Sequence, residues 1–474
     1  MDERTSLLGN PPHNEVITRQ RYDSEKLRYS PELRLLTHAT IPIALTFALQ
    51  NIVQALSTFI VGGRGTFELS VASYGYMFTQ VTGAMVAIGG ATALDTLCSQ
   101  AITSADYHPH ISGQYLQRGI IILAALYLVF IAPLWWFSGH LFIALGQEPD
   151  FAMETCFFLR VFIPGGLLQV PAECFKKFLQ VQGHSYPVGW IIIISSAIGV
   201  VANIILVNIA GLGLLGAPLA HTVYHLSSLV CLVLYSIVNK EVRKCWCGFT
   251  IGSLQDWTRF LKLAVPGILT VATEGWSFEI IAMMATRLDP ISIAAQGIIM
   301  TSDIILYTLP LGLGVAASHR IGNLLGAENG QGARFAVRGP YIVACVLGFI
   351  EFVAILSVQN SYGYIFSKDE SVVRQVARVL PLMACFQVLD LANNGASGIL
   401  RGAGKVHVAG FCNILAYYGA GLTTSWYLCF HRDLGVFGLW AGIITGSGTL
   451  LVSQTAFIAT IKWDHEAKKI GRLS

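Results

Sequence analysis

Long apolar runs alternate along the chain with short polar connections, and the runs have the length of membrane helices. A bilayer core of about 30 Å needs about 20 apolar residues in a helix. Such runs fall at roughly 35–61, 68–97, 118–138, 152–179, 187–209, 214–238, 258–286, 291–318, 338–360, 373–399, 406–430 and 435–461. The pattern predicts twelve spans. It lacks the alternating segments of about ten residues that mark an outer-membrane barrel. Several connections hold only a few residues, so neighbouring spans run antiparallel.

Composition agrees with that reading. The chain is 54% hydrophobic and only 12% charged, against about 25% charged in a soluble domain. Residues 1–34 are polar, carry Pro11 and Pro12, and are expected to be a disordered tail without the apolar core of a secretory signal. Within that tail, Glu3-Arg-Thr-Ser-Leu7-Leu8 resembles the acidic dileucine signal that sorting adaptors read, which implies a vacuolar or lysosomal membrane rather than the plasma membrane. The positions of the basic residues settle orientation. Of 30 Lys and Arg, about 23 fall in the two tails and the even-numbered connections, which puts both termini in the cytosol.

The chain also repeats itself. Pro42 lies on Pro266, Gln50 on Glu274, Pro164 on Pro381, and Gly213-Leu-Leu-Gly216 on Gly435-Val-Phe-Gly438. Two halves of six spans then begin on the same side of the membrane. The expected architecture is an all-α integral membrane fold with two six-helix lobes, related by a pseudo-two-fold axis along the membrane normal. The expected divisions are a tail 1–34, an N-lobe 35–239, a cytosolic linker 240–257, a C-lobe 258–462 and a tail 463–474.

Candidate chemistry lies in the carboxylates inside the spans. An ionisable residue there costs a few kcal/mol (~2.5–3.5 on insertion scales) and is a functional hypothesis by default. Glu274 and Glu279 fall in the seventh span, Asp303 in the eighth and Asp390 in the tenth. In a dry site a carboxyl favours its neutral form, and an organic cation stabilises the ionised one. Protonation and cation binding then exclude each other. Helical spacing puts Glu274 with Phe278, Asp303 with Tyr307, and Asp390 with Asn394 on shared faces. Glu279 lies about 140° round the helix from Glu274, which suggests a hydrogen-bonded wall rather than the cavity. Trp276, Phe278 and Tyr307 offer ring faces to a cation. Gln50 and Asn51 are the polar counterparts in the first span. The expected contact set for substrate is therefore Gln50, Asn51, Trp276, Phe278, Tyr307 and Asn394, with Glu274, Glu279, Asp390 and Asp303 for proton coupling. A purely architectural role is the alternative for each: a protonated acid can act as interhelical glue, and an aromatic ring can be ordinary packing.

Other motifs carry less. No phosphate loop, Ser-His-Asp set or HExxH pattern occurs, so neither ATP drive nor an enzyme is implied, and no cofactor or metal site is expected. Cys245-Trp-Cys247 and His108-Pro-His110 lack companion ligands.

Several stretches resemble the eukaryotic branch of the multidrug and toxin extrusion (MATE) family. They are Ala93-Leu-Asp-Thr-Leu-Cys98-Ser-Gln100-Ala, Glu274-Gly-Trp-Ser-Phe-Glu279, Pro310-Leu-Gly312 through Gly326-Ala, and Gly398-Ile-Leu-Arg401-Gly-Ala-Gly404 with Tyr417-Tyr418 beyond. The resemblance covers about residues 30–460 and implies proton-driven antiport of organic cations or other xenobiotics. It places Glu274 and Glu279 on the family's seventh-span glutamates and Asp390 on its tenth-span acid. Thr301 stands where animal members often carry a glutamate, with Asp303 two residues on, and His319 stands where a small residue is commoner. The expected protein is a monomeric secondary-active exporter that handles small molecules and protons and binds no nucleic acid. A lipid-linked oligosaccharide flippase or an integral-membrane enzyme are the alternative classes, and sodium coupling is an alternative within the first.

Overall fold

A computed structural model describes residues 29–471 except 105–107, 247 and 249. Among the described residues every regular element is helical. In lipid the backbone must satisfy its own hydrogen bonds, and long helices do so without a partner strand. We number them α1 (Tyr29–Gly62), α2 (Thr66–Ile102), α3 (Pro109–Trp136), α4 (Pro149–Val181), α5 (Ser185–Ile209), α6 (Gly213–Val238), α7 (Trp257–Ala285), α8 (Pro290–Gly326), α9 (Gly330–Ser357), α10 (Glu370–Gly402), α11 (406–431), α12 (Gly435–Thr460) and a short α13 (Trp463–Gly471). Eleven of the first twelve are long and apolar enough to cross a membrane. The remaining one, α11, alternates α and π segments along its length.

Local sequence explains the ends and the bends. Pro109, Pro149 and Pro290 open their helices, where the missing N–H costs nothing. Ser292 donates to the exposed Asp289 from its hydroxyl (2.7 Å) and its backbone N–H (3.1 Å). These bonds hold that carboxyl below its usual range, so the cap of α8 stays ionised. Pro42, Pro164, Pro266 and Pro381 lie inside helices as expected, joined by Pro171. The α8 helix is interrupted at Tyr307, three residues before Pro310.

Two lobes follow. Helices α1–α6 pack round a nest of edge-to-face rings, with Tyr76 against Phe158 at 5.4 Å and Trp135 against Phe162 at 5.7 Å. Helices α7–α12 pack round Phe386 and Trp440, whose centroids are 5.9 Å apart, and the Trp440 indole donates to Gln296 at 2.9 Å. The lobes meet by a repeated arrangement: α7 lies on α2 as α1 lies on α8. That exchange is what a two-fold relation between halves produces.

Glycine sets how closely helices approach. A Cβ on Gly398 of α10 would run into the Gly314 carbonyl oxygen of α8 and lie 3.0 Å from the Ala317 Cβ. Gly398→Ala is therefore expected to cost ~1–3 kcal/mol by overpacking and to lower the melting temperature in detergent. Gly448→Ala, in open space, is the control and leaves it unchanged.

One end of the bundle carries the first turn of α1 together with α13, and there the lobes are sealed. Thr96 donates to the Arg401 carbonyl at 2.7 Å, Gln100 to Gly402 at 2.9 Å and Thr103 to Asn323 at 2.7 Å. Arg320 near the end of α8 grips Glu32 in the first turn of α1 through Nε at 2.8 and 3.0 Å. That pair corrects one expectation. The tail does not run to Arg34, because α1 begins at Tyr29 and its first turn is bound to the other lobe. The linker likewise carries a turn of helix at Lys240–Lys244, capped by Asn239, and is tied to α3 by Arg118 donating to Gly252 at 2.9 Å. The last segment forms α13, which buries Trp463, Ala467 and Ile470 and pairs Glu466 with Lys405 at 2.8 Å. Leu7, Leu8 and Cys247 lie outside the described residues.

Candidate functional site

Three of the four predicted acids converge. Glu274 on α7 is half-buried, with the Tyr307 hydroxyl of α8 in hydrogen-bonding reach of its carboxyl and Arg401 of α10 close enough to act on it. Asp303, buried on α8, accepts from Gln387 Nε2 at 2.8 Å. Asp390, buried on α10, accepts from Asn394 Nδ2 at 3.1 Å, and its Oδ2 has no partner among the described residues. Glu274 and Asp303 both lie within electrostatic reach of Asp390, and Glu351 of α9 does as well. Tyr417 enters the same cluster from α11, buried, with its hydroxyl unpartnered among the described residues. It sits in the π segment Ile414–Gly421, a distortion that recurs at functional sites.

The fourth acid stands apart. Glu279 has no hydrogen bond or ion pair among the described residues, so the hydrogen-bonded wall expected for it does not form. Its position five residues from Glu274 turns it away from the cluster. The predicted contact residues also divide. Tyr307 and Asn394 belong to the cluster. The Trp276 indole, on a half-exposed ring, crosses to the other lobe and donates to the Val81 carbonyl at 2.9 Å. Asn51 crosses the opposite way, donating to the Ile304 carbonyl at 3.4 Å. Phe278 packs edge-on to Phe386 at 5.7 Å in the lobe core. Gln50 lies in the N-lobe, donating to Glu173 at 2.9 Å.

Arg401, Gln387 and Tyr417 are absent from the predicted set. Arg401 is 7% exposed, with Nε and one terminal nitrogen unpartnered among the described residues, and it reaches both Glu274 and Asp95 of the other lobe. A signal existed for two of them. Gln387, Asp390, Asn394 and Arg401 are spaced by three, four and seven residues, which puts all four on one face of α10.

The sealed end holds a second charged group. Asp95 of α2 accepts from Lys177 Nζ of α4 at 2.9 Å and lies 2.9 Å from His319 Nε2 of α8. Lys177 and the neighbouring Lys176, near the end of the fourth span, are each 1% exposed. A buried carboxylate compensates each.

Two six-helix lobes, one of them holding a cluster of three acids within its spans, are the architecture of a membrane transporter built from a repeat. The profile of the MatE family matches residues 42–205 and 266–426, and the chain belongs to that family. It is 32% identical to Protein DETOXIFICATION 16 of Arabidopsis thaliana, over 94% of this chain and 91% of that one. It is 30% identical to human multidrug and toxin extrusion protein 1, over 92% and 76%. An uncharacterized transporter of Schizosaccharomyces pombe is 33% identical over 93% and 81%. Among solved structures, the eukaryotic MATE transporter AtDTX14 superposes with a TM-score of 0.87 at 27% identity, covering 94% of this chain and 99% of that one. The chain is thus a transporter and not an enzyme.

Proposed function

We propose that the chain is a proton-coupled antiporter that exports organic cations, or other small xenobiotics and metabolites, from the cytosol by alternating access. The observation that carries this reading is the convergence of Glu274, Asp303 and Asp390 with Tyr307, Tyr417 and Arg401. A proton and a cation are alternative ways to neutralise such a cluster, so binding one displaces the other. Asn394 belongs to the cluster, Asn51 and Trp276 line the seam between the lobes beside it, and Glu279 serves away from the cluster. The excess of basic residues in the tails and even-numbered connections supports an orientation with both termini in the cytosol. The sealed end then faces the cytosol, and protons from the opposite side release the substrate. The protein works as a monomer. A vacuolar or lysosomal membrane fits the Leu7-Leu8 signal and its adaptor.

The test uses tetraethylammonium uptake into proteoliposomes with an acidic interior. One pH unit is worth about 1.4 kcal/mol per proton, so a two-unit gradient sustains ~100-fold accumulation at one proton per cation. Uptake is expected to follow the gradient in sodium-free buffer. Uptake that requires sodium and ignores the pH difference rejects proton coupling.

A further inference from the structure

The internal repeat, followed into three dimensions, yields a second polar site in the N-lobe. Pro164 corresponds to Pro381 at an offset of 217 residues, and the same offset lays Glu173 on Asp390. Gln50 corresponds to Glu274. The two C-lobe acids that act on each other therefore have N-lobe counterparts, and those counterparts also touch: Gln50 Nε2 donates to Glu173 Oε1 at 2.9 Å. One acid has become an amide, and a cation has been added. Lys176 Nζ lies 2.7 and 2.6 Å from the two Glu173 oxygens and 3.2 Å from Gln50 Oε1, and it sits over the Phe47 ring at 4.7 Å. Glu173 and Lys176 are 2% and 1% exposed. The residue at the Lys176 position in the C-lobe is Asn393, which donates to Ser447 at 2.7 Å and places no ammonium beside Asp390.

We propose that Lys176 is a built-in counter-cation. It occupies the place beside Glu173 that a coupling ion would take, and so confines proton coupling to the C-lobe acids. The inference rests on the proton-antiport reading above. Oxygen ligands on two helices and an aromatic face form a cage for one small cation, and the chain fills that cage with its own ammonium group. The surrounding groups complete a polar pocket. Tyr224 of α6 is buried with Glu173 in electrostatic reach and Gln50 and Ser196 in hydrogen-bonding reach of its hydroxyl. His225 and His221 of α6 share a 3.0 Å contact between their Nε2 atoms. Lys177, next to Lys176 on α4, is neutralised by Asp95 of α2.

Lys176→Met leaves Glu173 as a free acid in that pocket. The experiment measures protons exchanged per tetraethylammonium, from the gradient at which net flux reverses in proteoliposomes. For Lys176→Met the ratio is expected to rise by about one. For the double variant Glu173→Gln/Lys176→Met it is expected to return to the wild-type ratio. A Lys176→Met protein that transports at the wild-type ratio overturns the inference. Should the single variant not fold, the double variant decides: transport at the wild-type ratio supports the inference, and loss of transport overturns it. A wild-type flux indifferent to protons rejects the antiport reading instead, and the same vesicles separate the two failures.

Discussion

Glutamine at position 274 is expected to abolish proton-driven uptake of tetraethylammonium while leaving the protein folded. The substitution keeps the shape of the side chain and an oxygen for the Tyr307 hydroxyl. On the proposed antiport mechanism it removes the charge for which a proton and an organic cation compete. Arg401 also loses the carboxylate it reaches on α7, and keeps Asp95 on the other side of the seam. The Tyr307 hydroxyl then meets a neutral amide in place of a carboxylate; a hydrogen bond to a charged group is worth ~1.5–3 kcal/mol, and about 1.4 kcal/mol is tenfold in rate. Losing one at the upper end of that range slows uptake ~100-fold before the loss of proton exchange is counted. The check is the initial rate under an imposed pH gradient, with a thermal melt to confirm folding. Glu274→Gln protein that takes up substrate at the wild-type rate sinks the assignment of the cluster.

The second large effect is expected at the sealed end. Asp95→Asn leaves Lys177 buried at 1% exposure without its counter-charge, and weakens the acceptor that faces His319. Removing one partner of a buried pair costs ~3–5 kcal/mol. Because Asp95 and His319 lie on different lobes, part of that cost falls on the conformation in which the lobes touch. A lower melting temperature is expected. A cysteine placed at Ser99, whose hydroxyl faces Gly322 across the seam, is also expected to react faster with an impermeant maleimide added at the terminus-bearing side. Replacing both partners, as Asp95→Leu/Lys177→Met, recovers most of the stability, since an apolar pair of similar volume is often neutral. An unchanged melting temperature and labelling rate in Asp95→Asn would show that the triad does not hold the lobes together.

Much of this organisation is legible along the chain. The apolar runs mark the helices because a span must be long and continuous. The even span count and the shared side of both termini follow from where Lys and Arg fall. Glu274, Asp303 and Asp390 announce themselves because acids at that depth are rare. The faces are harder to read. In α1 the lipid side and the protein side are both apolar, so periodicity does not tell which way a residue points. Helical spacing separates Glu279 from Glu274 without naming its partner, and depth alone offers Gln50 to substrate although Glu173 and Lys176 hold that amide.

The spans, their alternation, the repeat and the depth of the acids are local properties of composition and spacing, so one chain read end to end is enough to define them. Partners are of a different kind, because they join helices far apart in the chain. Lys177 meets Asp95 across 82 positions, and His319 meets Asp95 across 224. Arg401 and Tyr417 join the acids because α10 and α11 pack against α7 and α8. Those meetings depend on how each helix is rotated about its own axis, which the packing of small residues at the seams settles.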